Sequence, residues 1–207
     1  MFALVESGSI TQFPKGNKGI TIGDNQYPQT IYTLWTEAER NAIGVYTVEI
    51  DETNRKDEKF YINTNITYAF GSGKVTGSYG TATAKALADS LYTSQDKTDG
   101  LIPSDKDVGD VKVRGLKTIY KENFNAEAAG LLAKTDWYVI KAADVTSYSV
   151  PSNITTYRAA VRTKVNAMET SIDGCSDVDA LITLQTYTTD SEGVTSRPLG
   201  EFPDEVV

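Results

Sequence analysis

The chain has 207 residues, 40% apolar and 10% aromatic, with 28 acidic against 20 basic side chains, a formal charge of −8 and a pI near 4.6. That length fits one domain or two small ones, the apolar share excludes wholesale disorder, and the acidic balance argues against a nucleic-acid binder, whose surface must neutralise phosphates. The absence of histidine and the single cysteine, Cys175, rule out intrachain disulfides, His/Cys zinc clusters and serine–histidine or cysteine–histidine nucleophile pairs.

Phe2 to Val5 and Ile10 to Phe13 are short apolar runs around Glu6-Ser7-Gly8-Ser9. Gly8 supplies the positive φ of a tight turn, so a β-hairpin opens the chain. Pro14, Gly16 and Gly19 make a loop, and Thr21 to Tyr27 is an extended piece before Pro28. Thr36 and Glu39 have capping-box spacing and start a short helix that ends near Ile43-Gly44, followed by a strand from Val45 to Ile50. Asp51 to Lys59 reads as a solvated charged loop. Phe60 to Phe70 and Lys74 to Tyr79 form a second hairpin across Gly71-Ser72-Gly73. Thr81 to Leu91 is alanine-rich and predicts a helix. Thr93 to Asp110, polar and broken by Gly100, Pro103 and Gly109, is the best linker.

Two periodic stretches follow. Leu116, Ile119, Tyr120, Phe124, Ala128, Leu131 and Leu132 recur at gaps of three and four, so they line one side of a helix ending near Thr135. Ile154, Tyr157, Val161, Val165, Met168 and Ile172 do the same between the start signals Pro151-Ser152-Asn153 and the stop at Gly174. The pair predicts a helical hairpin, with Trp137 in the connection as the plug between the two stripes. Val178, Leu181, Ile182 and Leu184 suggest a third short helix capped by Asp177, and Thr186 to Val207 is a polar arm that lies on its own surface or orders on a neighbour. The predicted class is α+β: a β-rich part over 1–92, a linker over 93–110, a helical module over 111–185 and an arm over 186–207. No basic n-region with an apolar h-region and no run near the roughly 20 apolar residues of a membrane span is present, so a soluble protein without a membrane partner is expected.

Candidate chemistry is thin. Gly71-Ser72-Gly73-Lys74 lacks the upstream glycine and the following serine or threonine of a phosphate loop, since those places hold Tyr68 and Val75. Asp105-Lys106-Asp107-Val108-Gly109-Asp110 resembles part of a calcium loop, but Leu116 stands where the twelfth-position acid belongs. Acidic residues are scattered without a singled-out pair for glycoside hydrolysis. Trp35 and Trp137 with Tyr61, Tyr68 and Tyr79 could form an aromatic platform for sugars. Arg158 and Arg162 lie one turn apart beside the apolar stripe and could reach Glu122 or Asp136, or face a partner protein. No catalytic residue, cofactor or metal site is assigned. Candidate packing and interface residues are Leu131, Leu132, Trp137, Tyr157, Arg158, Val161 and Arg162.

The wording of the helical stretch is distinctive: Gly115-Leu116-Lys117, then Leu131-Leu132-Ala133-Lys134-Thr135-Asp136-Trp137-Tyr138-Val139-Ile140, then Pro151 and Thr156-Tyr157-Arg158-Ala159-Ala160-Val161-Arg162. It resembles a recurrent C-terminal module of tailed-bacteriophage tail-fibre-associated, tail-fibre-assembly and other virion proteins, over roughly the last half of the chain. The opening hairpin, short helix and Gly44-Val45-Tyr46 strand resemble the N-terminal segment of such chains. The resemblance implies a structural, non-enzymatic virion component of the tail region that assembles with other virion proteins and as a homo-oligomer, a trimer if it is a fibre. The alternatives are a fibre-assembly chaperone, a receptor- or polysaccharide-binding tip and a head-attached protein.

Overall fold

The computed structural model describes residues 1–206, and the fold is α+β, with a β-rich N-terminal part and helices towards the C-terminus. It forms two compact units, Met1–Thr83 and Ala84–Val207.

In the first unit β1 (Phe2–Glu6) turns into β2 (Ser9–Gln12) through Ser7 and Gly8. Both sit at positive φ, 50° and 78°, as the twist of a two-residue hairpin requires. The extended piece at Thr21 is itself a small ribbon, β3 (Ile20–Ile22) against β4 (Asn25–Tyr27). Helix α1 (Glu37–Ala42) begins with the expected capping box: the Thr36 amide donates to Glu39 Oε2 at 2.7 Å, and the Glu39 amide donates back to Thr36 Oγ1 at 3.3 Å. Gly44 then passes close under β1, where a Cβ would lie 2.6 Å from the Val5 carbonyl oxygen. The strands β5 (Val45–Asp51), β6 (Tyr61–Ile62), β7 (Thr67–Gly71) and β8 (Lys74–Ser78) follow. Gly71 and Lys74 pair across the β7–β8 turn, so the glycine-rich tetrapeptide is a hairpin.

The main sheet runs β2-β1-β5-β8-β7, antiparallel except for the parallel β5–β8 pair. Successive side chains of a strand point to opposite faces, and β1 is buried on both. Leu4 packs with Ile20, Ile31, Tyr32 and Val45 on one side, while Ala3 and Val5 pack with Val48 and Val75 on the other. The sheet curls so that its edge strands approach one another, and the Phe13 ring centroid lies 4.8 Å from that of Tyr68.

In the second unit the alanine-rich run expected as a helix is not helical. It starts with β9 (Thr83–Ala84), which marks the division, and ends in β10 (Ser90–Leu91). Between them the Ala86 and Leu87 carbonyls accept from the Leu116 and Lys117 amides at 2.9 and 3.0 Å, and Asp89 Oδ1 accepts from Gly115 N at 2.6 Å. These are the orphan donors at the start of α3 (Leu116–Ala133), which lacks a side-chain cap of its own. Satisfying them outweighs the helix propensity of the alanines, a weak preference per residue. The expected linker over 93–110 also differs. It holds α2 (Ser94–Thr98) with its own capping box, and β11 (Val111–Val113) returns to pair with β10. The division therefore falls before this segment rather than within it.

The helical hairpin forms as α3 against α5 (Ser152–Asp173), and α6 (Val178–Gln185) follows with Asp177 accepting from Ala180 N at 2.8 Å. Leu116, Phe124 and Ala128 of α3 are buried, as are Ile154, Tyr157, Val161, Val165, Met168 and Ile172 of α5. Each fully buried aliphatic side chain contributes about 1.5–3 kcal/mol. Polar stitches along the seam set an antiparallel register: Lys121 to Asp173 at 2.8 Å, Asn125 to Glu169, and Arg158 to the end of α3. The arm lies on its own unit. It carries the ribbon β12 (Thr188–Thr189) and β13 (Thr195–Ser196) and a buried Leu199, whose amide donates to the Leu184 carbonyl at 2.9 Å and whose carbonyl accepts from Lys164 Nζ at 2.7 Å.

Candidate interaction surface

Residues of 131–137 and 157–162 meet at one corner of the helical hairpin. Arg158 on α5 is 8% exposed; its Nη1 donates to the Leu132 carbonyl at 2.8 Å and to Thr135 Oγ1 at 2.7 Å, and its Nη2 pairs with Asp136 Oδ1 at 2.8 Å. Thr135 is buried, and its hydroxyl donates to the same Leu132 carbonyl at 2.9 Å. The Leu132 carbonyl is one of the last-turn carbonyls of α3, which have no partner further along the helix, and the guanidinium fork suits this set of carbonyl, hydroxyl and carboxylate acceptors. The chain breaks at Thr135 and restarts as α4 (Asp136–Asp144), with Asp136 favourably at the positive end of the new helix.

This corner sorts the seven candidates. Tyr157, Arg158 and Val161 are buried, Leu131 and Leu132 are half-buried, and Arg162 is exposed with Nη1 donating back to the Arg158 carbonyl. Of the two acids the sequence offered, Arg158 takes Asp136; Glu122 lies towards the other end of the seam, next to the Lys121–Asp173 pair, and is held by Arg114 at 2.6 Å. Trp137 corrects the expectation of a plug. It is 50% exposed, stacked on Tyr138 at 3.8 Å between ring centroids and flanked by Lys141. The connection is a helix rather than a loop, and its handedness turns Trp137 away from the seam, which α3 and α5 fill without it.

Helix α4 has no buried residue. At 100° per residue Tyr138 and Ala142 fall together on its half-buried side, and Ile140 points opposite, with Asp136 and Asp144 one turn to either end on the same face and Trp137 and Ala143 beside it. Val139 is 43% and Ile140 65% exposed. A second apolar strip lies on the β10–β11 ribbon, where Leu91 and its cross-strand partner Val111 share an exposed face with Val113. Lys112 turns to the other face, pairs with Asp96 and lies over the Tyr92 ring.

Elsewhere the chemistry is structural. The Lys112 ammonium and the Thr93 amide and hydroxyl hold the Asp96 carboxyl down at about 2. Hydrogen bonds from Gly115 N and the Thr118 side chain lower Asp89, and the Ala180 amide lowers Asp177. In the acidic stretch 105–110, which lacks the last ligand of a calcium loop, Asp110 accepts from Asp107 N at 2.9 Å, closing a turn. Among the described residues no three His, Cys, Asp or Glu side chains gather as a metal site, and no helix is long and apolar enough to cross a membrane. Two open depressions lie on the first unit. One, of 450 Å³, is lined by Glu52, Arg55, Lys56, Asp57 and Glu58, with Arg55 paired to both glutamates. The other, of 670 Å³, includes Phe13, Lys15, Lys18 and Ile20. The aromatic residues considered as a sugar platform are engaged separately: Trp35 edge-on to Tyr27, Tyr68 with Phe13 and Tyr79 with Arg55. No protein-family model, curated protein or solved structure matches the chain.

Proposed function

We propose that this chain is a structural, non-enzymatic virion component of a tailed bacteriophage, sited in the tail fibre or attached to the tail or baseplate, and that it acts by assembling with itself and with other virion proteins. One observation carries the reading: the stretch whose wording resembles phage virion proteins includes α4, a helix with no buried residue on which Trp137, Val139 and Ile140 are exposed. Arg158, Thr135 and Asp136 fix the angle at which that helix leaves α3. Rigidly presented apolar side chains lose little conformational entropy on docking, so more of their contact energy remains as affinity. No step of this mechanism uses a reactive group, a cofactor or a metal.

Mass spectrometry of purified particles from a host producing this protein tests the reading. The chain is expected in finished particles at a fixed ratio to a tail protein. Presence in infected cells together with absence from particles rejects the structural role in favour of an assembly chaperone, and recovery with tail-less heads rejects the tail position.

A further inference from the structure

We propose that copies of this chain exchange their C-terminal straps, residues 197–206, so that the strap of one copy lies on the helices of another; the inference rests on the assembly reading above and names the segment that links copies. The strap's seat on α3, α5 and α6 is seen in the structure, occupied by the chain's own strap. Leu199, 3% exposed, is the anchor: its amide donates to the Leu184 carbonyl at 2.9 Å and its carbonyl accepts from Lys164 Nζ at 2.7 Å. Arg197 lies over the Phe124 ring at 5.6 Å and pairs with Glu201, and Glu205 further along pairs with Lys134. The strap of a second copy carries the same anchor and the same charges, so it fits the same seat contact for contact.

The stretch between α6 and the strap supplies the reach. Thr188 to Ser196 is exposed at every position, and among the described residues its hydrogen bonds stay inside the β12–β13 ribbon. Thr188 pairs with Ser196, the Thr189 and Thr195 hydroxyls lie 2.9 Å apart, and Asp190 Oδ1 closes the turn by accepting from the Glu192 and Val194 amides. So short a ribbon, bonded only to itself, is marginal in water. Folded, it returns the strap to its own α6. Opened, the same stretch spans about 30 Å at roughly 3.3 Å per extended residue, enough to carry the strap to a neighbour. Little holds the strap back, since Leu199 is the only buried residue in 186–206. A strap on a short flexible linker meets its own seat at an effective concentration of about 1 mM. Copies crowded to that level, as they are in an assembly, therefore compete for it on equal terms.

Carbodiimide cross-linking of the full chain tests the inference, because it joins Lys134 directly to Glu205 where the two pair. Unlabelled and isotope-labelled chains are mixed in equal amounts at total concentrations from about 1 µM to about 1 mM, the upper end matching the effective concentration of the tethered strap. A strap on its own copy joins like labels, and an exchanged strap joins unlike labels. The unlike-label share of the Lys134–Glu205 product is expected to rise about tenfold or more across that range. The Lys121–Asp173 pair is the control: both partners belong to one helical hairpin, so its product should stay unmixed. Thr189→Cys with Thr195→Cys, in Cys175→Ala protein, places a disulfide across the ribbon at a paired position. Unlike-label product should disappear when that bond is oxidised and return when it is reduced. Only like labels at about 1 mM overturns the inference, as does a Lys121–Asp173 product that mixes equally or mixing that the closed ribbon leaves intact. Particle mass spectrometry decides the assembly reading separately, so strap exchange can fail while that reading stands.

Discussion

Two runs of four apolar residues meet opposite fates. Phe2-Ala3-Leu4-Val5 lies in β1, where alternation sends Leu4 into one core and Ala3 and Val5 into another, so the chain itself covers both faces. Trp137-Tyr138-Val139-Ile140 lies in α4, which this chain covers on one side only. The difference comes from the neighbours available. β1 has the Ile20, Ile31 and Tyr32 segment on one side and Val48 and Val75 on the other, whereas α3 and α5 already fill their seam with each other. An apolar run states a need for cover, and the tertiary arrangement decides whether the same chain meets it.

Leu4→Ala should strike hardest, because it empties part of a fully enclosed core. A loss of about 2–5 kcal/mol is expected for the first unit, read by urea unfolding through Trp35 emission in Trp137→Phe protein. Arg158→Met should cost the second unit about 1.5–3 kcal/mol, since it removes the charged hydrogen bonds to the Leu132 carbonyl and the Thr135 hydroxyl, which keep only the bond they make to each other and the Thr135 amide; Trp137 emission in Trp35→Phe protein follows it. A Trp35 transition that shifted as much would show that the units do not unfold separately. Trp137→Ala should cost only about 1 kcal/mol in dilute monomer because half the ring is already in water. A loss near the roughly 3–5 kcal/mol of a buried aromatic would restore the plug. Gly130→Ala should stabilise the second unit by about 0.5–1 kcal/mol, as a Cβ there meets nothing within 4 Å, and an unchanged or lowered melting temperature would contradict it.

Acid acts in the same direction on Asp89, Asp96 and Asp177, all lowered by hydrogen bonds made in the folded second unit. A folded value below the unfolded one gives stability that is present above about pH 4 and lost as pH falls through the folded value. For Asp96 the loss should run from the ordinary carboxylate range down to about 2. The urea midpoint of the second unit should therefore fall over that window, and Asp96→Asn should flatten the dependence. A midpoint insensitive to acid would show these carboxylates unshifted.

Much of the local structure was legible because its signals are local. The Thr36–Glu39 box, the Ser7-Gly8 turn, the Gly71–Lys74 hairpin and the Asp177 cap each need a few consecutive residues. The stripes of α3 and α5 were legible for the same reason, since each repeats along one element. The alanine-rich run at Thr81–Leu91 misled, because its carbonyls serve a helix that begins some 25 residues later. Within the candidate surface, the pairing of Arg158 with Asp136 was one of two options in the sequence, and the outward turn of Trp137 was not visible at all. Nothing in Thr-Asp-Trp says that the chain restarts as a helix whose phase carries the indole away from the seam.

By itself the sequence determined the α+β class, the main caps and turns, and which helix faces are apolar, because backbone sterics, hydrogen-bonding side chains and 3.6-residue periodicity act over a few residues. Only the tertiary structure decided where the units divide, which strand is covered twice and which apolar helix is left half bare. Those outcomes depend on which distant donors and surfaces are still unsatisfied once the other elements have packed.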